Sequence, residues 1–303
     1  MPTSPTATIA HPDNLASPDT VGNDLPQIRG ESAVLDGEIL VRGIPIGQVI
    51  GTLSYVDMLF FQTQARYPTA AERALMEAYL VSLCEHGVTS PSTHGARVAA
   101  SVRAPFGVCA INFISAAMGP YHFGALELAM VDIAEVARSG VDPETYIEQR
   151  IAAGERLWGF GHRFHKSAGA ADVEPTAIEL LQEQTDPRVR RLIELADELG
   201  WDGPHLKLVR RLGHLLYLRK RVPINVDGIA AGLLLDMGFD SRIAMLFVML
   251  GRTANIARLY LEEQRESTNR FVGLACRSDP TFNRTVDREL NLKPSKAHIP
   301  PAT

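Results

Sequence analysis

Gly159-Phe160-Gly161-His162-Arg163-Phe164-His165 interrupts a chain otherwise patterned for helices and sets a histidine and an arginine on a Gly-x-Gly turn. Glycine lets a backbone adopt left-handed conformations and come close to a ligand. A histidine there can supply or remove a proton as an alkoxide collapses or forms, and an adjacent arginine fork suits a carboxylate. For His162 taken alone, a loop histidine bonded to backbone is the competing assignment.

Outward from this turn, the punctuation predicts helices on both sides. Asp142-Pro143 supplies a cap and an N1 proline for a helix ending near Gly159, and Asp186-Pro187 does the same for Val189 to Leu199, stopped by Gly200. Thr69 and Glu72 form a capping box before Leu75, Met76, Tyr79, Leu80 and Leu83. The apolar run Val108 to Ala117 predicts a buried helix, with a new one starting at Gly124, and Ser241 opens a long helix toward Leu261. One β element is expected, a hairpin of Ala33-Val34-Leu35 and Glu38-Ile39-Leu40-Val41 turning at Asp36-Gly37. Residues 1–26 lack periodicity and predict a disordered arm, and the stretch from about Ser267 predicts a surface wrap or a mobile tail. The fold class is mostly α.

A chain of 303 residues can bury one large core or a large lobe with a smaller one. Its formal net charge of -5 offers no basic field, so no nucleic-acid partner is expected. With no apolar run near the roughly 18 residues of a membrane span and no leader pattern at Met1-Pro2-Thr3-Ser4-Pro5, the expectation is a cytoplasmic protein without a membrane partner. Cys84, Cys109 and Cys276 are widely spaced, which suggests neither a disulfide framework nor a thiolate metal site.

Other candidates surround the glycine turn in sequence. His122, in Gly119-Pro120-Tyr121-His122-Phe123-Gly124, stands where one helix ends and another begins; it is either a buried histidine satisfied by a carbonyl or a donor to a thioester oxygen. Asp227, in Asn225-Val226-Asp227-Gly228, precedes an apolar helix; it is either that helix's N-cap or a desolvated general base acting at a carbon beside a carbonyl. Arg252 is a charge inside an apolar helix and needs a partner, either a structural acid or a bound carboxylate. Arg188 follows the Asp186-Pro187 cap. His86 and His94 are spaced for no common metal geometry, and no metal is expected.

Taken in order, His86-Gly87 with Ser92-x-His94, Gly119-x-x-His122-x-Gly124-Ala125-Leu126, Gly159-Phe160-Gly161-His162-Arg163, Asn225-Val226-Asp227-Gly228 and Leu250-Gly251-Arg252 resemble the citrate synthase superfamily over roughly residues 39–266. Within it the chain looks most like the citryl-CoA lyases and the C-terminal module of ATP-citrate lyase. The resemblance implies a two-lobed helical fold, with residues 27–124 and 241–303 as the large domain and 125–240 as the small one. It implies His122, His162 and Asp227 as catalytic residues, with His86, Arg163, Arg188 and Arg252 binding substrate. No tightly bound cofactor is implied; coenzyme A enters as a substrate thioester.

The activity this resemblance implies is cleavage of citryl-CoA to acetyl-CoA and oxaloacetate, by a homodimer or higher homo-oligomer. Alternatives are a citrate or 2-methylcitrate synthase and a catalytically silent homologue that binds a CoA ester. Three departures bear on this, one being that Asn225-Val226-Asp227-Gly228 and Gly124-Ala125-Leu126 are nearer the lyase branch than the synthase pattern. The tail after Ser267 lacks the arginine-rich segment of synthases, and Ser167 to Thr185 separate the histidine motif from Asp186-Pro187-Arg188, so Arg188 is either the displaced anion contact or that contact is lost.

Overall fold

The computed structural model describes residues 31–85, 87, 90–161 and 186–265. The expected arm over 1–26, the stretch from Ser267, and the candidates His86, His162, Arg163 and His165 lie outside the described residues.

Strands β1 (Ser32–Leu35) and β2 (Glu38–Val41) form the expected antiparallel hairpin. Asp36 and Gly37 take φ of 50° and 84°, the left-handed pair that a type I′ turn requires. A third strand, β3 (Ile44–Pro45), pairs Val41 with Ile44 and Leu40 with Pro45. The sequence did not announce it: two residues carry no alternation, and its turn uses Arg42 at φ 48° rather than Asp or Asn.

Helices follow: α1 (Ile46–Val49), α2 (Tyr55–Gln64), α3 (Ala70–Leu83), α4 (Pro91–Ser101), α5 (Phe106–Ser115), α6 (Gly124–Ser139), α7 (Pro143–Ala152), α8 (Pro187–Glu198), α9 (Pro204–Lys220), α10 (Val226–Asp236) and, after a 3-10 turn at Ser241–Ile243, α11 (Ala244–Arg265). The Thr69–Glu72 capping box is present, with Glu72 N donating to Thr69 Oγ1 at 3.2 Å and Thr69 N donating to Glu72 Oε2 at 2.7 Å. Asp142 and Asp186 cap α7 and α8 as expected.

Three expectations need correction. Helix α7 stops at Ala152 instead of running to Gly159, and the following Gly154 is left-handed at φ 67°. Helix α5 is not buried all round: Phe106, Val108 and Ile111 are exposed while Cys109 and Phe113 are covered. The segment Ser241–Arg265 is long and apolar enough to span a bilayer by length and composition. Its buried Phe247, Val248, Ile256 and Leu259 nevertheless pack in the protein's own core, alongside the buried polar side chains of Arg252, Asn255 and Glu263.

Helix α10 occupies the centre. Val226, Ile229, Ala230, Ala231, Leu233 and Leu234 are all buried, and α6, α8 and α9 surround it. Helix α11 packs on α3, α4, α5 and α6. One hydrophobic cluster runs continuously from Val56 to Leu259. This packing brings the N-terminal ends of α4, α6, α8 and α10 to one place.

Candidate active site

Those four helix starts line a cleft of about 570 Å³: Ser90 and Pro91 from α4, Phe123 and Ala125 from α6, Arg188 from α8, and Asn225, Val226 and Asp227 from α10. Unpaired N–H groups and aligned peptide dipoles make helix N-termini favourable to anions. Arg188, Arg252 and Arg156 line the same cleft and add formal positive charge. The space is therefore built for an anionic ligand.

Asn225 decides how α10 begins. Its side chain accepts the N–H of Gly228 at 3.1 Å, so Asn225 is the N-cap and Asp227 is not. Freed from capping, Asp227 lies in the first turn and lines the cleft. Burial pushes its carboxyl up to about 6; the nearby Arg188 charge pulls it down and Asp186 pushes it further up. A carboxylate with that affinity can exchange a proton near neutral pH.

The glycine turn docks directly onto this cap. Gly161 N donates to Pro223 O at 2.7 Å, Asn225 N donates to Gly159 O at 3.1 Å, and Asn225 Nδ2 donates to Gly161 O at 2.9 Å. Phe160 and Ile224 form an isolated antiparallel bridge. A Cβ on Gly159 would sit 2.7 Å from the Cα of Gly228, and one on Gly228 would sit 2.2 Å from Gly159 O. Both motifs thus require glycine because each backbone occupies the other's side-chain space. Gly159, Phe160 and Gly161 line the cleft, and His162 is the next residue in the chain.

Opposite them, Nε2 of His122 lies 2.9 Å from Ser92 Oγ, which fixes the ring's rotation at the start of α6. Ser92 is wholly buried and is 3.2 Å from Ser90 Oγ, which donates to Thr93 Oγ1 at 2.8 Å. Arg252 reaches into this cluster from α11: its Nη2 donates to Ser90 Oγ at 3.1 Å and to Ser92 Oγ at 3.3 Å. Arg252 is 2% exposed, with Nε and Nη1 buried and unpaired. Its guanidinium lies over the Phe113 ring at 5.7 Å. Burial lowers its proton affinity to about 10, with Glu85 raising it and Arg188 lowering it. Of the two partners foreseen for Arg252, no acid pairs with it among the described residues, and the unpaired nitrogens suit a carboxylate.

Arg188 reaches the cleft despite the long preceding insertion. Its Nε donates to both oxygens of the buried Asp186, at 2.9 and 3.0 Å, which aims the guanidinium across the start of α8. The structure thus unites His122, Asp227, Arg188 and Arg252. Sequence reading gave no role to Ser90, Tyr121, Arg156 or Trp158, and quoted Ser92 only within the Ser92-x-His94 pattern. Among the described residues no cluster of His, Cys, Asp or Glu could hold a metal.

Comparisons with known proteins bear on the family and the fold. The chain is 29% identical over 223 residues to the putative citrate synthase 2 of Mycobacterium tuberculosis, covering 72% of this chain and 55% of that one. It thus spans about half the length of that curated relative. Among solved structures, the citryl-CoA lyase of Hydrogenobacter thermophilus matches with a TM-score of 0.68 and 27% identity, over 85% of this chain and 99% of that one. The ATP citrate lyase of Methanothrix soehngenii, solved with citrate and coenzyme A, shares the fold with a TM-score of 0.70 and 19% identity, over 92% of this chain and 46% of that one. Residues 30–273 match the family described as citrate synthase, C-terminal domain, and the chain therefore belongs to the citrate synthase family.

Proposed function

We propose that this chain breaks or makes the carbon–carbon bond at the α-carbon of an acyl-CoA thioester, and that its reaction is cleavage of citryl-CoA to acetyl-CoA and oxaloacetate. The observation that carries this is the pairing, in one anion-favouring cleft, of a carboxyl held near 6 at Asp227 with a histidine fixed by Ser92 at His122. In the cleavage direction the tertiary hydroxyl of citryl-CoA loses its proton to His162. The carbon–carbon bond then breaks to give the ketone and a thioester enolate. His122 donates to the enolate oxygen while the enolate carbon takes a proton from Asp227. Arg188 and Arg252 hold carboxylates, with His86 and Arg163 assigned to substrate by resemblance.

The lyase is favoured over a synthase because Asn225-Val226-Asp227-Gly228 and Gly124-Ala125-Leu126 are nearer the lyase pattern, and the likeness to the citryl-CoA lyase of Hydrogenobacter thermophilus supports this. Assembly as a homodimer is part of the same reading. Val98, Val102, Phe106, Val108 and Ile111 of α4 and α5 expose apolar surface that a second copy would cover.

The test is mass spectrometry of the protein incubated with citryl-CoA, and separately with acetyl-CoA plus oxaloacetate. Acetyl-CoA from the first mixture with little free CoA from the second supports the lyase. Citrate with free CoA from the second makes it a synthase. Silence in both removes these substrates.

A further inference from the structure

The rim of the cleft is held by an ion pair outside the reaction chemistry. After α7 ends, residues 155–157 have neither helix nor strand, so their backbone gains nothing from regular secondary structure. Arg150 of α7 anchors them. Its Nη2 donates to Asp132 Oδ2 of α6 at 2.9 Å and to the carbonyl of Arg156 at 3.2 Å, while its Nη1 donates to Glu155 Oε2 at 2.6 Å. The N–H of Trp158 donates to Asp132. The Arg150 guanidinium also lies over the Tyr146 ring at 5.6 Å.

On the cleft side, this anchored segment presents Arg156 against the rings of Trp158 and Tyr121, whose centroids are 5.8 Å apart. Its guanidinium is 4.7 Å from the Trp158 centroid and 5.2 Å from that of Tyr121. Tyr121, Arg156 and Trp158 all line the cleft mouth, and among the described residues Arg156 forms no ion pair. A cation held against aromatic rings suits phosphates and flat heterocycles.

We propose that Asp132 and Arg150 are positioning residues for the reaction: together they fix the rim segment so that Arg156, Tyr121 and Trp158 receive the phosphate-bearing part of a CoA thioester that stays outside the cleft. This rests on the reading of the substrate as a CoA thioester. Only a planar fork reaches Asp132, Glu155 and the Arg156 carbonyl at once, so lysine cannot replace Arg150.

The experiment compares Arg150→Ala, Arg150→Lys and Asp132→Asn in a Trp201→Phe background, which leaves Trp158 as the sole tryptophan of the chain's two. Binding of coenzyme A is titrated through Trp158 emission, steady-state kinetics are measured with the CoA thioester, and thermal unfolding is followed. The expected result is CoA binding weaker and KM higher by roughly 10-fold, with kcat within about 3-fold and altered Trp158 emission before ligand is added. Unchanged KM and unchanged CoA affinity, with only a lower Tm, overturn the proposal by reducing the pair to a structural salt bridge. If the parent protein itself binds no CoA, the substrate reading has failed, and Trp158 emission in the ligand-free variants still decides whether the pair sets the rim: unaltered emission overturns it.

Discussion

Ser92 Oγ lies 2.9 Å from Nε2 of His122, and the same hydroxyl receives Nη2 of Arg252 at 3.3 Å. One buried serine thus connects the group assigned to the thioester oxygen with the group assigned to a carboxylate. Ser92→Ala removes one hydrogen bond that orients the His122 ring and costs part of the orientation that a preorganised donor needs. Turnover is expected to fall roughly 10-fold or more, the equivalent of one modest hydrogen bond expressed in the transition state. Steady-state kinetics with circular dichroism as a fold control check this; an unaltered kcat removes the serine from the mechanism.

Asp227 has consequences for both chemistry and stability. In its proposed role as the base that removes an α-proton it must be ionised, so hydrogen–deuterium exchange of acetyl-CoA should be level above about pH 7 and fall on acidification through about 6. Asp227→Ala should lower this exchange by roughly 10²-fold. Exchange that persists at pH 4.5, or survives the alanine, assigns the proton transfer to another group.

The stability effect has the opposite sense. The carboxyl binds its proton near 6 in the fold and near 3.8 in the unfolded chain. Above pH 6 both states are ionised and the fold carries the whole burden of a buried carboxylate; between 6 and 3.8 the fold is protonated and the burden lifts; below that it is gone. Asp227→Asn should therefore stabilise the protein at pH 8 by about 3 kcal/mol and change little at pH 4. Urea unfolding at the two pH values measures this, and equal effects at both would contradict a raised carboxyl.

Much of this site was legible because its residues announce themselves locally. Asp142-Pro143 and Asp186-Pro187 reveal helix starts, since cap chemistry acts within three residues, and the glycine turn reveals close backbone approach. For Asp227 the sequence left a cap and a general base both open, and the bond from Gly228 N to Asn225 Oδ1 gives the cap to Asn225. What Ser92 and Trp158 do was not legible, for a different reason. Their roles arise from contacts across 30 residues to His122 and from Trp158 N to Asp132 on another helix, which no local pattern encodes. The exposed half of α5 was misread because an apolar run states hydrophobicity without saying what will cover it.

Arg252 should show the trade between stability and binding. Nε and Nη1 of this buried guanidinium have no partner. Arg252→Met removes an uncompensated cation from an apolar wall while keeping much of its volume, so the ligand-free fold should gain about 1 kcal/mol or more. Affinity for the carboxylate substrate should fall roughly 10²-fold with the loss of a charge-assisted fork. Calorimetry of the free and substrate-saturated protein checks both halves; a variant that loses stability points to a structural ion pair instead.

The mutual fit of Gly159 and Gly228 gives the most local prediction. In Gly228→Ala the new methyl would meet Gly159 O at 2.2 Å, backbone that cannot swing aside as a flexible side chain would. Relief requires the glycine turn to lift away from α10, which would strain the bonds from Asn225 N to Gly159 O and from Asn225 Nδ2 to Gly161 O. Helix propensity alone favours alanine over glycine by roughly 1 kcal/mol, so a substitution judged by propensity would stabilise α10. The collision should win, since overpacking against fixed backbone costs about 1–3 kcal/mol. The expected outcome is a lower Tm together with a loss of activity larger than the fraction unfolded explains, because the displaced turn leads directly into His162. Thermal unfolding and kinetics on the same sample separate the two, and a stabilised, fully active Gly228→Ala would show that the two backbones are not in contact.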